Sequence, residues 1–324
     1  MTVKPMPDSA FIRSFDDYLN LTLTYNTHNL QYRMTDADDV KFIFSPNEIY
    51  ETEICLAYSF LFVKYTFSPK FLDINNNENI KGNTNRDDIE LALSVNRFDI
   101  DFEHCDVTGF YLYNTKDFDA TWQPGRPYIL FPDMRVKQTG GSIVYNCNKR
   151  FSYASLDGGS EQQLKTAFSF LPTLYVYYFR MRDADTAVKQ GEDEYTKNWD
   201  LNLCLPLAAN FVFAKNWYCG VNAGPCIGLD MISSTLVDKA DKQETQKQTF
   251  ASIGYTGRVS IGWSNRKYFA GIDGSIRRYA HIANGDDEME KRFYNASIYA
   301  GMRIAAPKFV KRSMDWLKRF LPFD

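Results

Sequence analysis

The sequence predicts an all-β fold, a single antiparallel transmembrane-type β-barrel of about 12 strands (roughly 10–16), followed by a C-terminal amphipathic helix. Three observations predict it: long runs that alternate apolar and polar residues, charges in the middle of the polar face, and connections that alternate in length. A period of two indicates strands with one apolar face. The alternating runs exceed the roughly 5–6 residues of soluble strands and suit the roughly 9–11 that cross a bilayer.

The most regular strands lie in the second half of the chain. Within residues 251–263, Ile253, Val259 and Ile261 alternate with Ser252 and Arg258. The predicted strands of this half cover residues 201–213, 217–231, 251–263, 268–276 and 296–304. Aromatic residues near strand ends are expected to form girdles at the membrane interfaces. They are Trp199, Phe213, Trp217, Trp263, Tyr268, Phe293 and Tyr294.

The first half alternates less regularly, but its strands continue the same rhythm. They are predicted at residues 18–34, 40–44, 51–58, 61–67, 88–102, 105–114 and 134–147, and in an interrupted run over 151–181. Long polar connections are predicted at 69–87, 115–133, 183–198, 233–247 and 282–291, and tight turns at 215–216 and 264–266. Long loops at one end and tight turns at the other are typical of barrels, so residues 1–306 are assigned to one barrel domain.

Four charged residues occupy the polar face in mid-strand: Arg258, Asp273, Arg277 and Arg303. In a membrane barrel these residues line the lumen. They form either a selectivity lining or an ion network whose members satisfy one another. We favour the charge network, because neighbouring strands supply both signs and an unpaired interior charge is costly.

The period changes to 3.6 in the tail, residues 307–324. Val310, Met314, Leu317 and Leu321 fall on one helical face. The residues expected at a membrane interface are Lys308, Lys311, Arg312, Trp316, Lys318 and Arg319. Such a basic amphipathic helix either packs over one end of the barrel or lies on anionic lipid headgroups.

Composition limits the chemistry. The 324 residues carry a net charge of −3, which argues against nucleic acid as a partner. The 3 histidines and 6 cysteines show no zinc-type spacing, so we expect no metal and no cofactor. The cysteines are expected to be buried or wall-facing thiols, although Cys204 and Cys226 could pair across one hairpin.

Enzymatic chemistry has little support in the sequence. A lipid-modifying barrel enzyme needs a Ser–His pair, and the best candidate, His281, has only Ser275 near it on its strand face. We therefore expect no catalytic residue and no enzyme. The N-terminus lacks an apolar targeting segment, so an export signal is expected to have been removed or missed at the assigned start.

Residues 146–154 and 161–167 resemble the most recognisable stretch of a Bacteroidetes family, domain of unknown function 4421. The matching motif residues here are Asn148, Arg150, Phe151, Ser152, Tyr153 and Gln163. Shorter resemblances lie at residues 45–47, 81–84, 108–111 and 303–308. Together they extend over residues 8–308.

The resemblance implies an exported protein similar to outer-membrane barrels, with no known activity. Tyr299, Gly301 and Ile304 also resemble the β-signal that the barrel-assembly machinery reads, which makes this machinery and outer-membrane lipid the expected partners. The expected role is structural, ligand-binding or that of a porin-like small-solute pore. The alternatives are a soluble periplasmic barrel that encloses an apolar ligand against an inward apolar face, and a lipid-modifying outer-membrane enzyme.

Overall fold

The computed structural model describes residues 8–35, 40–47, 50–69, 77–157, 159–183, 193–237, 243–281 and 290–318. Its main sheet closes into an antiparallel ring of 12 strands, which confirms the predicted fold class. The first long strand of the ring pairs with the last, from Tyr18 opposite Ala305 to Arg33 opposite Glu290. Closure leaves no free sheet edge around the ring.

The described strands have these bounds: β1 (Ile12–Ser14), β2 (Tyr18–Thr35), β3 (Lys41–Ser45), β4 (Glu51–Tyr58), β5 (Leu61–Phe67), β6 (Asn85–Val95), β7 (Phe98–Leu112), β8 (Leu130–Tyr145), β9 (Glu161–Gln163), β10 (Ala167–Phe170), β11 (Thr173–Asp183), β12 (Asp193–Cys204), β13 (Leu207–Ala214), β14 (Trp217–Val237), β15 (Gln243–Ser264), β16 (Tyr268–His281) and β17 (Glu290–Ala305). The helices are α1 (Glu78–Lys81), α2 (Thr115–Phe118) and α3 (Lys308–Lys318). No helix in the described part of the chain is both long and apolar enough to span a membrane.

Two ring strands are broken by proline. Pro172 separates β10 from β11, and Pro206 separates β12 from β13, because proline has no N–H to give to the ladder. Proline carbonyls still accept bonds from the next strand, since Leu171 N donates to Pro206 O at 3.0 Å. Beside the second break, a disulfide joins Cys204 to its register partner Cys226, so the sequence-based pairing option is realised.

The alternation along β15 shows which face lies inward. Ile253 is 55% exposed on the outer wall, whereas Ser252 is 2% exposed and its hydroxyl donates to Asn202 Oδ1 at 3.2 Å. The apolar face of the barrel therefore points outward and the polar face lines the lumen. Other outward apolar residues are Leu23, Ile54, Ile227, Leu229, Ile272 and Ile298. The soluble alternative, which needs the opposite orientation, is not the arrangement found.

The boundary predicted between residues 102 and 105 is wrong. β6 ends at Val95 and β7 begins at Phe98, with Asn96 in the left-handed region at φ 55°. Asparagine tolerates that conformation better than other non-glycine residues, so two residues make the turn. The polar stretch around His104, which we interpreted as the break, lies inside β7.

Two further boundaries differ from the sequence prediction. The described residues of 151–166, which leave out 158, contain the short strand β9 and a 3-10 turn at Ala154–Asp157 rather than a long barrel strand. Within the long connections predicted at 183–198 and 233–247, the described residues are strand: β11 ends at Asp183 and β12 begins at Asp193, while β14 and β15 stay paired out to Val237 and Gln243. Polar side chains there do not interrupt the backbone ladder.

The barrel has two distinct ends. We call the end with both described chain termini and the tight turns the terminal end, and the opposite end the loop end. Residues 146–157 and 159–166 connect β8 to β10 at the terminal end, and we call this segment the plug. Of the predicted girdle residues, Phe213 and Trp217 lie exposed there, but Phe293 packs inside the lumen, because odd positions of β17 face inward.

Candidate functional site

The plug is organised around the buried amide of Gln163. Its Nε2 donates to three backbone carbonyls, those of Arg150 at 2.7 Å, Lys165 at 3.0 Å and Phe11 at 3.2 Å. Its Oε1 accepts from Ser152 N at 2.8 Å. One side chain therefore holds together both ends of the plug and the N-terminal segment.

A wall residue fastens the plug to the barrel. Asn210 of β13 is fully buried, and its Nδ2 donates to Ser152 O and Ser155 Oγ, both at 2.9 Å. Ser152 Oγ donates to Glu161 Oε2 at 2.6 Å inside the plug. Because each of these groups is buried, each depends on its partner to offset lost hydration.

Apolar packing complements these hydrogen bonds. Phe151 is 1% exposed and packs with Val144, Leu171 and Ala208 of the wall. Tyr153 is partly buried against the same cluster. The plug is therefore seated by a core of its own as well as by polar contacts.

Two predicted lumen residues bind the plug as well as each other. Arg258 Nε donates to Asp273 Oδ2 at 2.6 Å, and its Nη2 forms an ion pair with Asp157 of the plug. The predicted charge network thus exists in part, with a third member that the sequence did not indicate.

Arg303 anchors the plug from β17. Its Nη2 donates to Gly159 O at 2.8 Å, and its Nη1 donates to Asn265 O at 2.6 Å. The guanidinium lies 3.8 Å from the Phe15 ring centroid and 4.6 Å from that of Phe269. Arg303 is therefore an anchor for the plug and the adjacent turn.

The remaining motif residues shape the outer layer of the plug. Asn148 caps its first turn by accepting from Arg150 N at 3.0 Å, and its Nδ2 donates to Phe168 O at 2.7 Å. Arg150 pairs with Asp8 at 3.2 Å and lies over the Phe11 ring. β1 adds to β9 as a two-stranded sheet, so the N-terminal segment straps the plug in place.

Three separate motifs of the first half meet at the loop end. Asn47 N donates to Thr84 Oγ1 at 2.8 Å, and Thr84 Oγ1 donates to Gly109 O at 2.7 Å. Gly109 has φ +91°, and a Cβ there would lie 2.0 Å from Asn83 O, so only glycine fits. Beside them, burial lowers the pKa of Lys81. These contacts hold the barrel wall beside β3 at the loop end.

A chamber with a volume of about 240 Å³ lies in the lumen between the plug and the loop end. Its charged lining comprises Glu51, Glu53, Lys64, Arg86, Asp88, Glu103 and Arg277. Lys64 contacts Glu53 at 3.6 Å and Glu90 at 2.6 Å. Arg86 contacts Glu51 at 2.8 Å and Asp88 at 2.9 Å. Each of these two cations therefore faces two carboxylates.

Sequence reasoning placed only Arg277 of this set, and it treated that residue as part of one network with Arg258. The structure separates the two: Arg258 lies against the plug and Arg277 lines the chamber. The sequence did contain a signal for this set. Glu51 and Glu53, and likewise Arg86 and Asp88, are two residues apart, so each pair lies on one face of its strand.

The C-terminal helix packs at the outer rim of the terminal end. Met314 is buried against Phe60, Val95 and their neighbours, so the described helix packs on the barrel, while its placement at a membrane interface stays a prediction. Phe309 and Trp316 stay exposed, as do Lys308, Lys311 and Arg312. The Lys318 side chain and the whole of Arg319 and Leu321 lie outside the described residues.

Within the part of the chain that the structure describes, no group of three or more His, Cys, Asp or Glu residues is arranged to hold a metal ion. The side chain of His281, the candidate catalytic histidine, lies outside the description. His104 has a described partner, Thr139 Oγ1, at 2.7 Å.

The plug, its arginine anchors and the loop-end motifs all fall within residues 6–303, which match the family model described as domain of unknown function, DUF4421. The chain belongs to this family. The Bacteroidetes origin stays a prediction. No curated protein matches the chain by sequence.

Solved structures similar to the DUF4421 chain are barrels of bacterial outer membranes. The outer membrane protease OmpT from Escherichia coli is 8% identical, covering 90% of this chain and 98% of its own, with a TM-score of 0.41. The Pseudomonas putida toluene transporter TodX is 8% identical, covering 90% and 91%, with a TM-score of 0.27. A Pseudomonas aeruginosa FadL homologue is 9% identical, covering 89% and 90%, with a TM-score of 0.28. Because these TM-scores are low, we infer the function from the geometry of the chain itself.

Proposed function

We propose that this protein is an outer-membrane β-barrel that binds a small solute in its lumen and is closed by its plug at the periplasmic end. The observation that carries the proposal is the apolar outer wall of a closed ring with a polar, plugged interior. An outward apolar face of this kind costs free energy in water and is favourable in lipid.

The covalent chemistry of the wall supports an exported location. The Cys204–Cys226 disulfide is of a kind that persists in oxidising compartments and is rare in the cytosol. The orientation of the barrel follows from its last strand. We assign the terminal end to the periplasm, because β17 ends there with the residues that resemble the β-signal. One of these residues, Gly301, lies under the Phe269 ring, where a Cβ would approach Phe269 Cζ to 2.1 Å.

The filled terminal end favours a gated or solute-binding barrel over a permanently open pore. Wall residues Asn20, Asn210, Ser260 and Ser264 are all at most 1% exposed, although they face the lumen. The porin-like role therefore requires that the plug moves. Outer-membrane lipid and the barrel-assembly machinery remain the proposed partners, and the absence of enzymatic activity remains a prediction.

Single-channel conductance in planar bilayers tests this proposal. Wild-type protein refolded in detergent should insert and remain mostly closed. Asp157→Asn and Arg258→Gln each remove the ion pair between plug and wall, which is partly exposed, so the open fraction should rise roughly threefold to fivefold. The double variant should rise no further than Arg258→Gln alone, because Arg258→Gln already removes the contact with Asp157.

Asp119→Asn, the same substitution in an exposed loop, is the matched control and should behave as wild type. Heat-modifiable gel migration confirms that each variant is folded. Wild-type protein that stays soluble without detergent, or that conducts steadily with the plug in place, contradicts the proposal.

A further inference from the structure

Arg277 lines the chamber and forms no salt bridge with a described carboxylate. Its guanidinium lies over three aromatic rings, 4.7 Å from the centroid of Tyr175, 5.1 Å from Phe293 and 5.7 Å from Tyr177. Among the residues that the structure describes, no acid forms a salt bridge with it. The aromatic rings hold the cation in place, and Arg277 also donates a hydrogen bond to the Tyr177 hydroxyl. The other N–H donors of its guanidinium remain available to a ligand.

Glu103 is the complementary group on the same cavity wall. Its described hydrogen bond is accepted from Gln138 Nε2, a neutral donor, at 2.7 Å. No described lysine or arginine lies within salt-bridge distance of it, whereas Glu51, Glu53 and Asp88 all have cationic partners. The chamber thus holds one carboxylate and one guanidinium that attract each other across the cavity but form no salt bridge among the described residues.

The surroundings decide which ligand fits these two groups. The paired cations Lys64 and Arg86 each face two carboxylates, so the chamber carries an excess of negative charge that favours an ammonium group. Arg277 adds a planar site for a carboxylate. At about 30 Å³ of liquid volume per water, 240 Å³ has room for roughly eight waters, or for a molecule of amino-acid to dipeptide size.

We propose that the chamber binds a small zwitterion, an α-amino acid or a short peptide, with its carboxylate on Arg277 and its ammonium group on Glu103. This site specifies the chemical class of the solute in the proposed function, namely a small zwitterion. It rests on that function only for access across the membrane, because the binding groups are complete in the barrel itself.

Titration calorimetry on the full-length protein, refolded in detergent, tests the site without any transport step. The probes are L-alanine and L-alanyl-L-alanine, with propionate and ethylamine as analogues that carry only one of the two charges. At least one zwitterion should bind, and each single-charge analogue should bind about tenfold more weakly or not at all.

Arg277→Gln and Glu103→Gln should each weaken zwitterion binding about tenfold or more. Arg135→Gln, on the exposed outer wall, and Glu244→Gln, on the exposed part of β15, are matched controls that should leave binding unchanged. Gel migration verifies folding in every case.

Binding of neither zwitterion to folded wild-type protein overturns the proposal. So does propionate or ethylamine binding as tightly as the zwitterions, or binding that both chamber variants leave intact. A protein that binds zwitterions yet never inserts into bilayers contradicts the membrane function and leaves the chamber assignment standing.

Discussion

The plug and the chamber, which form the two halves of the lumen, differ in how their polar groups are paired. In the plug, Gln163, Ser152 and Asn210 give and receive hydrogen bonds to one another and to the backbone. In the chamber, Arg277 and Glu103 line the cavity and have no salt-bridge partner among the described residues. Satisfied buried groups stabilise a fold, whereas unneutralised groups around a cavity cost stability and are kept where a ligand can complete them. The comparison separates a structural half from a binding half.

The largest effect should come from the core of the plug. Phe151→Ala removes a ring that is 1% exposed and should lower the free energy of unfolding by about 3–5 kcal/mol. Urea unfolding in detergent, followed by tryptophan fluorescence, measures it. Phe168→Ala, at a 60% exposed position, is the control and should cost far less. Equal losses at the two positions would mean that the plug is not seated in the barrel.

A pair of glutamine substitutions compares the two halves directly. Gln163→Ala removes five described hydrogen bonds and leaves buried partners unsatisfied, so it should cost about 2–3 kcal/mol. Gln138→Ala removes one described bond at the chamber wall and should cost about 1 kcal/mol or less. The same unfolding assay ranks them, and the reverse order would remove the distinction between the halves.

The tail extends the comparison to the outer rim. Deletion of residues 308–324 should leave the barrel folded with a stability loss of about 1 kcal/mol, since Met314 is the buried contact described. Flotation with anionic vesicles should fall, because Phe309, Trp316 and the exposed cations are lost. Failure of the truncated chain to form any heat-modifiable barrel would make the helix part of the fold's core.

The smallest effect on stability is expected where the effect on ligand binding is largest. Glu103→Gln and Arg277→Gln should change the free energy of unfolding by about 1 kcal/mol or less, since each loses a hydrogen bond or cation–π contacts but no salt bridge within the described residues. A loss of several kcal/mol from either substitution would show that these residues support the fold.

The fold was largely accessible from the sequence, because a membrane barrel imposes one period on every strand. Alternation from Ile253 to Val259 predicted the outward face correctly. The plug was not accessible in this way, since its 3-10 turn and the contacts of Gln163 follow no period. The arginine anchors of the plug were identified from the sequence as lumen residues. The contact between Arg303 and Gly159, however, forms only because the plug folds back into the barrel, and no local sequence pattern encodes that fold-back.

The chamber was missed for a different reason. Its acids lie on the less regular strands β4, β6 and β7. Glu51, Glu53 and Asp88 fell within predicted strands and Glu103 fell between two of them, but mid-strand charges were singled out only in the more regular second half. That Arg277 and Glu103 form no salt bridge within the described residues is a property of three-dimensional spacing. Only the register of the strands reveals it.

A spin-label scan along β15 in liposomes tests the central claim, a lipid-facing apolar wall around a filled polar lumen. Single cysteines at positions 251–259 are labelled in a background where Cys147 and Cys219 are serine. The odd positions, including Ile253 and Val259, should collide with dissolved oxygen more than with a water-soluble nickel chelate. The even positions, including Ser252, should be immobile and reached by neither reagent. Odd positions that the chelate reaches as readily as oxygen would place this face in water and contradict the membrane barrel.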